Sequence, residues 1–81
     1  MRFTAYFAHV SERPDRRSIK MEWIERVVRR PDFERVQHDG RIRRWKLIPE
    51  AQGRFLRVVL LEDGLTVHNA FFDRSFRGDK A

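Results

Sequence analysis

The chain has no cysteine, very little lysine and no long apolar run. Without cysteine there can be no disulfide and no thiolate zinc site, and the absence fits a reducing compartment. No stretch approaches the ~20 apolar residues that cross a bilayer. Met1-Arg2-Phe3-Thr4-Ala5-Tyr6 does not read as a signal peptide, so the expectation is a cytoplasmic protein without a membrane partner. Neither a glycine-rich phosphate loop nor a serine in a triad pattern is present, and no His/Asp/Glu spacing suits a metal. No metal site or cofactor is therefore expected. No linker or repeat divides the 81 residues. They read as one domain, 1–81, with its core at about 3–74 and a disordered tail at 75–81.

Arginine fills the space that lysine leaves. Lysine and arginine number 18 against 12 acids, a net charge of +6, and only Lys20, Lys46 and Lys80 are lysines. Arginine stays charged and forks two donors onto one phosphate or carboxylate, whereas lysine acts as a point charge. An arginine-dominated basic domain suits a nucleic-acid backbone. A GC-rich genome would also explain the arginine-to-lysine ratio, but not the net charge.

Apolar spacing predicts an α+β domain. Phe3–Ala8 reads as a first strand, and residues 11–17 as a charged loop broken by Pro14. From Ser18 to Arg30 the residues Ile19, Trp23, Ile24, Val27 and Val28 recur at helical spacing. Glu22–Arg26 and Glu25–Arg29 stand four apart in the favourable order, and Pro31 ends the helix. Four strands follow as an antiparallel meander: Phe33–Gln37, Arg41–Ile48, Arg54–Leu61 and Leu65–Phe72. Three-residue loops at His38-Asp39-Gly40 and Glu62-Asp63-Gly64 pair Val36 with Ile42, Val59 with Val67, Phe55 with Phe71 and Arg57 with Asn69. Both faces of the last hairpin are then mostly apolar. A lone helix covers one of them, so a partner subunit is expected on the other.

His9, Arg13, Arg17-x-Ile19, the helix residues Glu22, Ile24 and Val27 closed by Pro31, Gly40-Arg41, Arg57-Val58-Val59 and the closing His68-Asn69-Ala70-Phe71-Phe72-Asp73-Arg74 together form a recognisable pattern. It resembles the RelE-like toxins of bacterial toxin–antitoxin systems, and within them a family of short proteins related to the BrnT toxins. The resemblance spans about residues 3–74. It implies a RelE-like fold and a toxin or toxin-derived protein. Its target would be RNA, free or ribosome-associated, bound and in the enzymatic version cut without metal, and its inhibitor a small acidic antitoxin. RelE-type nucleases rely on lysines, arginines and a tyrosine near the C-terminus. Here the sole tyrosine is Tyr6 and the last two strands lack lysine, so that catalytic set is not carried over.

Metal-free RNA cleavage needs a base, an acid and cations around the phosphorane. His9 and His68 are the candidate acid and base, with Arg13 and Arg57 as phosphate-holding partners; each histidine could equally serve as a structural hydrogen-bonding group. The candidate binding residues are Arg17, Arg41, Arg43, Arg44, Trp45, Lys46, Asn69 and Arg74. Trp45, set among cations, suits stacking on an unpaired base, or else packs across the hairpin on Phe33. Two other classes of function stay open: a non-catalytic module that binds an acidic protein, and a ParE-type toxin directed at gyrase.

Overall fold

The computed structural model describes residues 1–78. Five strands and two helices follow in the order β1 (Arg2–Phe3), α1 (Ala5–Val10), α2 (Met21–Arg29), β2 (Phe33–Val36), β3 (Ile42–Ile48), β4 (Arg54–Leu60) and β5 (Thr66–Phe72). The sheet order is β1-β5-β4-β3-β2. Strands β2 to β5 pair antiparallel in chain order, while β1 lies parallel to β5 with Arg2 beside Thr66. The sheet is therefore mixed, not the purely antiparallel one expected.

The segment expected to be one strand, Phe3–Ala8, is divided between β1 and α1. Thr4 accounts for the division. Its extended backbone and its hydroxyl, which accepts the Phe7 N–H at 3.0 Å, cap the first turn of α1. Phe7 and Val10, three residues apart, then share the buried side of that helix. α2 follows the predicted stripe: Trp23, Ile24 and Val27 are buried, with Ile19 and Val28 at the margin. Its last carbonyls are capped from the sheet, because Arg44 Nη1 donates to Val28 O at 2.8 Å and Lys46 Nζ to Arg30 O at 2.8 Å. Arg26 forks onto Glu50, tying α2 to the 3₁₀ turn at Pro49–Ala51 and pulling the Glu50 carboxyl down to about 2.

The first hairpin has the expected register, with Val36 opposite Ile42 and Gly40 at φ +91°. A side chain at Gly40 would also run into Glu62. The last hairpin departs from expectation. Asp63 accepts the N–H groups of Leu65 and Thr66, each at 2.9 Å, and the Thr66 hydroxyl at 2.6 Å. These bonds, the Thr66 hydroxyl foremost, hold Asp63 down at about 2. They widen the loop to four residues, and Leu61 N donates to Thr66 O to close it. The pairing shifts accordingly: Arg57 faces Phe71, Val59 faces Asn69, and Leu60 faces Val67. A bulge leaves His68 unpaired between them and turns Val67 into the core.

Leu56, Val58, Leu60, Val67 and Ala70 of β4 and β5 meet both helices in one cluster. Side chains of opposite parity point to the other face of the sheet, which neither helix covers. Part of that face, where a partner subunit is expected, is covered by the chain's own C-terminal segment. After β5 the backbone folds back, and Phe76 stacks on Trp45 at 4.4 Å with an interplanar angle of 9°. Phe76 also meets Phe33 and Phe55 edge-on. Packed structure thus continues past residue 74 into the expected tail, with Phe76 half-buried; residues 79–81 of that tail lie outside the described residues. Replacing Phe76 with alanine is expected to cost about 1–2 kcal/mol, a part of what full burial of a large apolar side chain contributes, because Phe76 is half-buried. Chemical denaturation measures that loss, and quenching reports the newly exposed Trp45. An unchanged unfolding curve would show that the segment contributes nothing to the fold.

Candidate anion-binding site

Two rows of side chains cross the uncovered face of the sheet. Strand register sets Arg35, Arg43, Val59 and Asn69 in one row, and Phe33, Trp45, Arg57 and Phe71 in the next. Alternation along each strand then brings Arg43 and Arg57 together on one face of neighbouring strands. The returning segment supplies a wall at Ser75–Gly78. Between wall and sheet lies a cleft of about 280 Å³ into which Arg35, Arg43, Arg57 and Arg77 project.

Among the described residues one carboxylate lines the cleft with these four arginines. Asp73 Oδ2 accepts the Trp45 indole N–H at 3.0 Å and meets Arg57 Nη1 at 3.4 Å, while its Oδ1 accepts from Ser75 N and Oγ. Burial works to raise the Asp73 carboxyl, but the bonds from Trp45 and Ser75 and the Arg57 charge outweigh it and hold the group below its ordinary value. Arg57 is pushed below its ordinary value, first by burial and then by the like charge of Arg43. Among the described residues Arg43 has no carboxylate partner, and the Nε atoms of Arg43 and Arg57 are both buried without a hydrogen bond. Buried donors without acceptors are uncommon in folded proteins and costly. A cleft that gathers cations in excess of anions also concentrates field on whatever enters it.

The other sequence-predicted binding residues lie elsewhere or are already engaged. Arg44 pairs with Glu34 at 2.6 Å and Lys46 with Asp32 at 3.4 Å, besides capping α2. Arg41 sits by Asp39 in the hairpin turn, and Arg17 donates to Glu12 O. Trp45 is only 4% exposed and lies beneath Phe76, opposite Phe33, so its ring is no open stacking platform. Arg74 is exposed beside a neighbouring groove lined by Arg54 and Phe72. Asn69 accepts from Arg16 Nη1 at 2.8 Å, and Arg16 also bonds Ala70 O and lies over the Phe71 ring. Arg16 thereby occupies the edge of β5 that two-residue β1 leaves uncovered.

The four candidate catalytic residues are not gathered in one place. His9 and Arg13 are exposed on α1 and the loop after it. His68 stacks on Tyr6 at 4.8 Å, and its Nδ1 lies 3.1 Å from the Thr4 hydroxyl. Of the four, Arg57 alone reaches the cleft. Sequence reasoning missed Arg35 and Arg77. Arg35 could have been found, because the expected pairing of Val36 with Ile42 already places it opposite Arg43. Arg77 lay in the segment taken for a tail.

Comparison with known family models, with curated proteins and with solved structures found no match to this chain.

The unfolding free energy should respond to both arrangements. Because Thr4 Oγ1 already accepts from Phe7, its proton is available to His68 Nδ1, which suits the neutral ring protonated at Nε2. Burial, and then the Arg41 charge, lower the His68 pKa below 6.5. A base depressed in the folded state contributes stability that is complete above about pH 6.5 and is lost as pH falls toward the folded value. Denaturation between pH 7.5 and 5 should show this slope in the native chain and not in His68→Gln; equal slopes in the two would remove the assignment. At the cleft, Arg43→Met relieves the repulsion on Arg57. It is expected to raise the unfolding free energy by about 0.5–2 kcal/mol at low ionic strength, and a loss of stability would mean that Arg43 is held for structure.

Proposed function

We propose that the protein binds RNA through the Arg35/Arg43/Arg57/Arg77 cleft, as a RelE-like toxin or a toxin-derived protein of the cytoplasm. One observation carries the reading: among the described residues four arginines and a single carboxylate line the cleft, and Arg43 has no acidic partner. Such a site costs stability unless an anion completes it, and phosphate offers arginine the bidentate geometry that it prefers. Binding is favoured over cutting. Among the described residues no histidine lines the cleft, and Asp73 is held in its charged form by its bonds, so none of these is poised to exchange a proton near neutrality.

A second reading, an acidic antitoxin-like protein as the occupant, is favoured by Asp73 itself, since a carboxylate already sits against Arg57 and Trp45. Salt titration with a labelled single-stranded RNA tests the first reading. Each phosphate contact contributes a slope of roughly 0.7 in log affinity against log salt. Arg43→Gln should flatten the slope by about that amount, whereas Arg44→Ala should leave it unchanged, because Arg44 is spent on Glu34 and the end of α2. A slope that Arg43→Gln does not alter would refute the assignment. Displacement of the RNA by polyglutamate at matched charge and concentration would move the conclusion to the acidic partner.

A further inference from the structure

Building on the RNA reading, we infer that the cleft selects a terminal phosphate monoester over the internal phosphodiesters of a strand. Shape is the first argument. The floor is sheet, made of Arg43, Trp45 and Arg57, and the segment through Ser75 and Arg77 stands as a wall on one side. Phe76, laid flat on Trp45 and wedged between Phe33 and Phe55, closes the base of that wall. An internal phosphate must bring its chain in and lead it out again. A terminal one enters once, which suits a cleft with the Ser75–Gly78 segment along one side.

Charge is the second argument. Among the described residues four arginines stand against one carboxylate in the lining, and a monoester carries about −1.5 to −2 near neutrality, against −1 for a diester. It also presents three terminal oxygens where a diester has two, enough for Arg43 and Arg57 to be satisfied at once. Stacking does not contribute, because Trp45 is covered by Phe76, and Phe71 has Arg16 and Arg57 over its ring. The end group, not the base sequence, is then what the cleft reads. A free phosphate and the phosphate of an RNA end share this chemistry.

Binding of one RNA sequence bearing a 5′-phosphate, a 3′-phosphate or hydroxyls at both ends separates the possibilities, followed by Trp fluorescence and by anisotropy at fixed salt. At least one phosphorylated strand is expected to bind about tenfold more tightly than the hydroxyl-ended strand. The preference should vanish in Arg43→Gln, and should shrink between pH 7.5 and 5 as the dianionic monoester takes up one proton, with a pKa of about 6. Inorganic phosphate should compete with both kinds of strand for the cleft, and should displace the hydroxyl-ended strand at a lower concentration than the phosphorylated one. Competition by phosphate with no enhancement from either RNA end would overturn the RNA-end inference in favour of a free anion. Equal affinity for all three strands would overturn the inference while leaving RNA binding intact. Failure of every strand to bind would remove the RNA reading, and the inference with it. Equal competition by a peptide with a free C-terminal carboxylate would assign the cleft to carboxylates.

Discussion

Asp73 links the packing of the protein to its surface charge. Its side chain is 8% exposed, yet it accepts the Trp45 indole N–H and faces Arg57, while two bonds from Ser75 shape the turn that follows. A buried carboxylate of this kind needs its partners, since one left uncompensated would be strongly destabilising. That requirement helps keep residues 73–78 on the uncovered face of the sheet and Phe76 over Trp45. Without it, the wall of the cleft and the cover of the aromatic cluster would both be lost. One interaction therefore serves a small domain in two ways, shielding apolar surface and arranging cations.

The same face shows how stability and binding pull against each other. Arg43 and Arg57 stand on neighbouring strands with their Nε atoms buried and unsatisfied. A chain optimised for stability alone would place apolar or oppositely charged residues there. Several arginines elsewhere are well matched: Arg26 with Glu50, Arg44 with Glu34, and Arg16 with Asn69 and Ala70 O. The contrast between these engaged cations and the partly compensated ones in the cleft is a better guide to the site than the density of basic residues along β3.

How much of this was legible in the sequence depended on the range of the interaction. The stripe of α2 and the His38-Asp39-Gly40 loop could be read because periodicity and turn chemistry are local. α1, with six residues, is too short for a periodic signal, and its one mark was the Thr4 cap. The wide loop after β4 followed from the bonds made by the Asp63 side chain, which an Asp-Gly pair alone does not reveal. Arg44 and Lys46 looked available because the helix carbonyls that they cap lie sixteen residues away in the chain. Phe76 fell beyond the last strand, where no alternation pointed to burial. The domain was thus readable from short-range pattern, and the cleft only from contacts between distant segments.

The parallel pair of β1 and β5 joins Arg2 to Thr66 and Phe3 to Val67. Closing such a long loop carries an entropy cost before any contact rewards it, and topologies of this kind fold slowly. During synthesis the helices and the first hairpin can gather early, yet the sheet gains its outer strand, and the arginines their enclosing wall, only when residues 66–77 have emerged. If the cleft binds RNA as proposed, that affinity would be a late acquisition, and an unfinished chain would be spared from capturing nucleic acid through a half-built surface.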